Sequence, residues 1–476
     1  MQPYLTPGVH IKHIVTEPAR VLRTGVPLFV GFVHKEYLDL YNAQQAEPEE
    51  QYIVDSQRTS FITRKRAYQA LPQRPYTAAQ RSLPTDPTSQ SSGFYMTSTG
   101  KSNDDDRARV RQSYGARGQA NVGTQETAPE QILSEKPQRF TVWPQFQATY
   151  GALQAYGFLS YAVRGFFENG GRLCYVQMIG YNDDSPLNAV QDVLQKLEPD
   201  DEFDLVCLPD IFWSPTDQPN NDWSTQLDMQ NALLRHCDQM GDRFALLDGL
   251  PRADDEAIKS QRAQLSGDNG ALYHPWVRVV DGPLGGLVPP CGHVAGVIAR
   301  TDLSIGVHRA PANQDLLGVV DLAVNLDDER QGPLNEVHVN CLRAFPRRGI
   351  RVWGARTLSP SPLWTYINVR RIFLTAGRWI ERNMTNVVFE PNNPELWGEI
   401  VRDLTVYFTQ LLEQGALAGR GSGEAFYVKC DAETNPPALR EQGIVVTEIG
   451  LAATVPAEFI VVRIIHGPAG VRIETG

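Results

Sequence analysis

The apolar positions of this chain change period several times, and each change marks a structural unit. Pro3 to Glu17 alternates loosely, with Val9, Ile11 and Val15 on one side and His10 and Lys12 on the other, the period of an extended strand. Val26 to Val33 is a nearly continuous apolar run with Gly25 and Gly31, which predicts a buried strand entering the first globular unit. Residues 35–138 are then polar, and between Pro84 and Gln131 there is neither leucine nor isoleucine, so this stretch reads as a surface insertion that buries little. Beyond it a strand and helix rhythm sets in. Tyr150 to Glu168 reads as a helix stopped by Gly170 and Gly171, followed by a strand from Arg172 to Met178. Strands at Phe203 to Leu208, Arg243 to Asp248 and Trp276 to Val280 alternate with helical stretches at Asn188 to Lys196, Ser224 to Gln239 and Asp254 to Gln264. That alternation predicts an α/β domain with a largely parallel sheet.

The last third follows another plan. Ser361 and Pro362 open a helix running to about Asn383, with Val369, Ile372, Phe373, Ala376, Trp379 and Ile380 on one face. Asn393 with Pro394 opens a second helix that Gly415 ends. Strands at Ala425 to Cys430, Ile444 to Ile449 and Glu458 to His466 complete an α+β domain, and a short tail follows. The expected fold is thus multi-domain, an α/β body carrying a polar insertion plus a C-terminal α+β domain.

Charge narrows the function classes. Across 476 residues, 44 basic against 55 acidic side chains leave a net charge of −11, which disfavours a phosphate-backbone binder, so no nucleic acid partner is expected. No apolar run approaches the roughly 18 residues that would span a bilayer, so no membrane insertion is expected. The opening residues MQPYLTPGVHIKHIV lack the unbroken apolar segment of an export signal, which points to cytoplasmic assembly. Cys174, Cys207, Cys237, Cys291, Cys341 and Cys430 lie tens of residues apart, and neither His236 with Cys237 nor Cys291 with His293 supplies four metal ligands. No metal or other cofactor is expected.

Catalytic motifs fail one by one. Asp210 and Asp248 end strands where open parallel sheets place functional groups, yet no constellation accompanies them, so surface or capping carboxylates are the simpler reading. Gly100, Lys101 and Ser102 imitate the end of a phosphate loop, but Tyr95 stands where the first glycine is needed. Gly419, Gly421 and Gly423 follow a helix instead of a strand. One basic feature remains: Arg371, Arg378 and Arg382, spaced by seven and four, fall on one helix face opposite the apolar stripe.

Several segments together resemble the sheath subunits of contractile phage tails and contractile injection systems. They include Tyr4-Leu5-Thr6-Pro7-Gly8-Val9-His10, Phe158 to Gly171, Gly292 to Asp302, Ala310 to Asn313, Gly354 to Leu358, Asn368 to Arg371, Phe389-Glu390-Pro391-Asn392 and Pro456 to Phe459. The resemblance implies a structural, non-enzymatic subunit that polymerises with its neighbours as stacked helical rings around an inner tube protein. Such a sheath contracts without fuel to drive the tube through a target envelope, and baseplate and terminal cap proteins are the further partners. It divides the chain into an N-terminal strand-donating arm at 1–24, a body at 25–34 and 139–290, the insertion at 35–138, an assembly domain at 291–466 and a C-terminal arm at 467–476. Val9, Ile11, Ile14, Val15, Val471 and Ile473 are then the inter-subunit arm residues, which extend to neighbouring copies, and Arg371, Arg378 and Arg382 are the candidates to face an acidic tube. The competing expectation is an α/β enzyme or nucleotide-binding protein with an unrecognised site.

Overall fold

The computed structural model describes residues 22–33, 133–151, 157–180, 185–213, 222–387, 389–454, 460–467 and 470–475. All of them belong to one of the chain's two units, the one formed by residues 1–46 and 127–476. The expected arm residues Val9, Ile11, Ile14 and Val15, and nearly all of the 35–138 insertion, lie outside the described residues.

The first core is built on a mixed sheet. Strands β1 (Pro27–Val33), β2 (Gln138–Phe140), β3 (Cys174–Gly180), β4 (Leu205–Cys207), β5 (Phe244–Asp248) and β6 (Gly270–His274) join three later ones, β9 (Gln314–Asp315), β11 (Val339–Phe345) and β12 (Gly349–Trp353). Their order is β2-β3-β1-β4-β5-β6-β11-β12-β9. The pairs from β3 through β11 are parallel, whereas β2, β12 and β9 are antiparallel at the margins. Every residue of β1 is buried, as its unbroken apolar run demands of a strand covered on both faces. Helices α1 (Trp143–Tyr150), α2 (Leu159–Glu168), α3 (Pro186–Lys196), α4 (Ser224–Met240), α5 (Asp255–Ala263) and α6 (Cys291–Ser304) flank it, with α7 (Asp328–Glu336) before β11. The single helix expected over Tyr150 to Glu168 is two: α1 ends at Tyr150 and α2 starts only at Leu159, where the Asp210 carboxylate accepts the amides of Phe158 and Leu159. The expected strand at Trp276 to Val280 is β7 (Val277–Val279), but it joins a separate sheet between β10 (Val319–Leu322) and β8 (Leu287–Val288).

A second core packs α8 (Ile367–Asn383) and α9 (Pro394–Glu413) on an antiparallel sheet of β13 (Phe426–Lys429), β14 (Val445–Leu451), β15 (Ile460–Gly467) and β16 (Gly470–Thr475), in that order. Asn393 Oδ1 accepts from the amides of Glu395 and Leu396, the cap that its place before Pro394 predicts. Ser361 and Pro362 open only a short 3₁₀ turn, and α8 itself begins at Ile367. Trp379 stacks on Tyr407 at 3.9 Å, joining α8 to α9.

One expectation is corrected. The assembly domain does not begin at 291, because α6, β11 and the residues to Leu358 are packed into the first core and the second begins near Trp364. The reason is the crossing of α6 over α2: a Cβ on Gly292 would lie 2.1 Å from the Ala162 carbonyl oxygen and one on Gly296 2.5 Å from that of Phe166, so only glycine permits this approach. Within the single chain the tail is already paired. It folds back antiparallel on its own chain, His466 opposite Val471 and Ile464 opposite Ile473, because a two-residue connection makes hairpin closure cheap.

Candidate assembly interface

The arginine face of α8 forms an extended buried polar site. The helix is covered on both sides, its apolar stripe by the second core and its arginines by the first. Arg371 is 3% exposed and grips Asp302 with both terminal nitrogens, at 2.9 and 2.6 Å, while Nη2 also reaches Asp204 at 2.8 Å. Burial works against its charge, but the carboxylates of Asp302 and Asp204 outweigh that and push its pKa above the usual arginine value. Asp204, just before β4, spends its remaining lone pairs on the amides of Gly25 at 3.0 Å and Val26 at 2.7 Å. One turn-set further along, the buried Arg378 donates to the carbonyls of Asp201 at 2.7 Å and Arg23 at 3.5 Å, and Arg382 pairs with the Asp201 carboxylate at 2.7 Å. Arg370 lies over the Trp364 ring and donates to Asn269 Oδ1.

This overturns the reading of Arg371, Arg378 and Arg382 as a row projecting towards a partner. Helical period places them on one face correctly, but that face meets the first core, and only Arg382 keeps partial exposure. What they hold is the segment Arg23–Val26, the point where residues 1–21 join the body. Asp201, Asp204 and Asp302 were not singled out from the sequence. Each is one acid among many, and nothing local marks it as the partner of a helix far along the chain.

The strand-ending carboxylates are buried helix caps. Asp210 accepts from the amides of Phe32, Phe158 and Leu159, and Asp248 accepts from Cys291 at the start of α6. Burial without a cation lifts Asp210 to about 6 and Asp248 to about 7. The six cysteines are all buried and unpaired by disulfides, and among the described residues no group of His, Cys, Asp and Glu could hold a metal ion. A depression of about 400 Å³ between the two cores is lined by Leu22, Thr24, His308, Trp379 and Tyr407, again at the root of the N-terminal segment. Among the described residues no helix is long and apolar enough to cross a membrane.

The four-stranded sheet is the other candidate interface. Its margins are β13 and β16, and Val471 and Ile473 lie on β16, beside their own β15.

Comparisons with known proteins agree with this two-core organisation. A family model described as the phage tail sheath protein central domain matches residues 188–358, and one described as the phage tail sheath C-terminal domain matches 359–465, the division falling where the cores part. A chain of the anti-feeding prophage (AFP) baseplate solved by cryo-EM is 32% identical with a TM-score of 0.58, over 70% of this chain and 88% of that one. A chain of the PVC sheath complex of an extracellular contractile injection system, in the contracted state, is 29% identical with a TM-score of 0.58, over 69% and 86%. A prophage major tail sheath protein of Pseudomonas aeruginosa strain UCBPP-PA14 is 24% identical over 248 residues, 48% of this chain, which spans only 60% of that relative's length. The chain belongs to the contractile tail sheath family.

Proposed function

We propose that this chain is the structural subunit of a contractile sheath. Copies stack as helical rings around an inner tube protein and, on contraction, drive it through a target envelope, with baseplate and cap proteins at the ends. The observation that carries this reading is the structural likeness to chains of an AFP helical sheath and a PVC sheath complex at 31% and 29% identity over most of their length. The subunit turns over no substrate and needs no cofactor: its buried carboxylates are occupied as helix caps, and no observation favours an enzyme instead. It is assembled in the cytoplasm as part of a phage tail or tail-like injection particle.

Linkage between copies is proposed to run through strand addition at the four-stranded sheet, with residues 1–17 as one donated strand. The tail strand around Val471 and Ile473, paired with β15 in the single chain, would be exchanged for a neighbour's in the same register. Backbone hydrogen bonds, each about 0.5–1.5 kcal/mol net, let such a joint persist while the bodies turn. Negative-stain microscopy of the purified protein tests the reading: hollow tubes are expected, and a small oligomer stabilised by nucleotide overturns it.

A further inference from the structure

We propose that neighbouring copies also interlock through a knob and a socket, Phe389 of one subunit seating in the recess beneath α2 and β10 of the next. This rests on the sheath reading and names a contact between its subunits. Phe389 is fully exposed and stands at φ 73°, in the left-handed region that bulky side chains rarely hold. Single exposed apolar residues are ordinary; a fully solvated phenylalanine presented by such a backbone is not. The recess has a volume of about 240 Å³, larger than the roughly 150 Å³ cavity that accepts a benzene ring. Its floor holds the buried His293 and its wall the Arg164–Glu168 pair, while Val280 and Val320, 57% and 58% exposed, stand at its rim.

Charge makes a second copy the occupant. Beside the recess, past the exposed Leu317, three arginines converge on the loop at Asn313: Arg348 and Arg351 donate to it at 2.8 and 2.7 Å, and Arg300 donates to the Asp315 carbonyl at 2.7 Å. Against these three guanidiniums stands Asp315, paired with Arg351, so the loop keeps a surplus of positive charge. Phe389 is flanked by the exposed Glu390 and Glu395, and residues 389–454 carry ten acids against four bases, a net of −6. Socket and knob sit on different patches, so the contact is heterologous and can join copies head to tail in a ring or along a helix.

The test places cysteines at Phe389 and Val320 of the full chain, whose six native cysteines are buried, and treats assembled tubes with a short bismaleimide. The double variant is expected to give a ladder of covalent oligomers, and each single variant at most a dimer. In parallel, Phe389→Asp is expected to raise the concentration needed for tube assembly at least tenfold with an unchanged melting temperature. Tubes from wild type with no ladder, and with Phe389→Asp assembling normally, overturn the knob and socket alone. Absence of tubes from wild type overturns the sheath reading and this contact with it.

Discussion

Replacing Arg371 by leucine leaves Asp204 and Asp302 charged, buried and without their cation, which makes the loss far larger than that of a surface pair. The expected destabilisation is about 3–5 kcal/mol, read as a shift of the urea midpoint. Combining Arg371→Leu with Asp302→Asn should recover part of it, because one of the stranded charges is gone. A lysine at this site reaches as a point charge and cannot bridge both carboxylates, so Arg371→Lys should fall between. Asp248 carries a prediction of a different sign. Its folded pKa of about 7 lies above the usual 3.8, so its contribution to stability is present in full below about pH 4 and is lost as pH rises through 7. Asp248→Asn keeps an acceptor for the Cys291 amide without a charge to bury. The melting temperature of the variant should therefore gain on wild type between about pH 4 and 7, and a constant difference across that range would contradict this role for Asp248. At this scale the sequence was half legible. The spacing of Arg371, Arg378 and Arg382 defines a face, but their charge suggested water, whereas the partner Asp204 lies 167 residues away and only the fold brings it there.

Elements were most legible where local chemistry and burial agree. The Asn393–Pro394 start of α9 and the apolar run of β1 were both readable, since a cap and an unbroken hydrophobic strand are short-range signals. The β11–β12 hairpin was not, because arginines at 343, 347, 348 and 351 break its apolar alternation and are accommodated only through partners such as Asp328 and Asp315. Helix α6 was not legible either, since glycines at 292 and 296 argue against a helix until its contact with α2 is known. That contact sets up opposite outcomes for one substitution. Gly292→Ala forces a methyl to within 2.1 Å of a backbone oxygen and should cost about 1–3 kcal/mol, whereas Gly398→Ala, in the exposed interior of α9 with nothing within 4 Å, should stabilise by about 0.5–1 kcal/mol. Chemical denaturation of the two variants decides the matter, and equal signs would mean that the α2–α6 crossing is looser than described.

For the whole molecule, the two-core plan was legible in the change from strand–helix alternation to helices followed by strands, while the border between the cores was not, because residues 291–358 read as neither. Where the chain enters the body, Asp204 holds the amides of Gly25 and Val26, and Arg378 holds the carbonyl of Arg23. A pull on residues 1–21 is thereby delivered to α8 and to the first core together, since Arg371 binds both Asp204 and Asp302. Deleting residues 1–17 spares every one of these contacts. The truncated chain should melt within a degree or two of the full one, yet under conditions where the full chain forms long tubes it should remain a monomer in sedimentation and yield none by microscopy. Adding it in excess to full-length chains should not seed growth, because strand donation would be missing from every truncated copy. Long tubes from the truncated chain would remove residues 1–17 from the linkage and leave the tail strand at β15 as the remaining candidate.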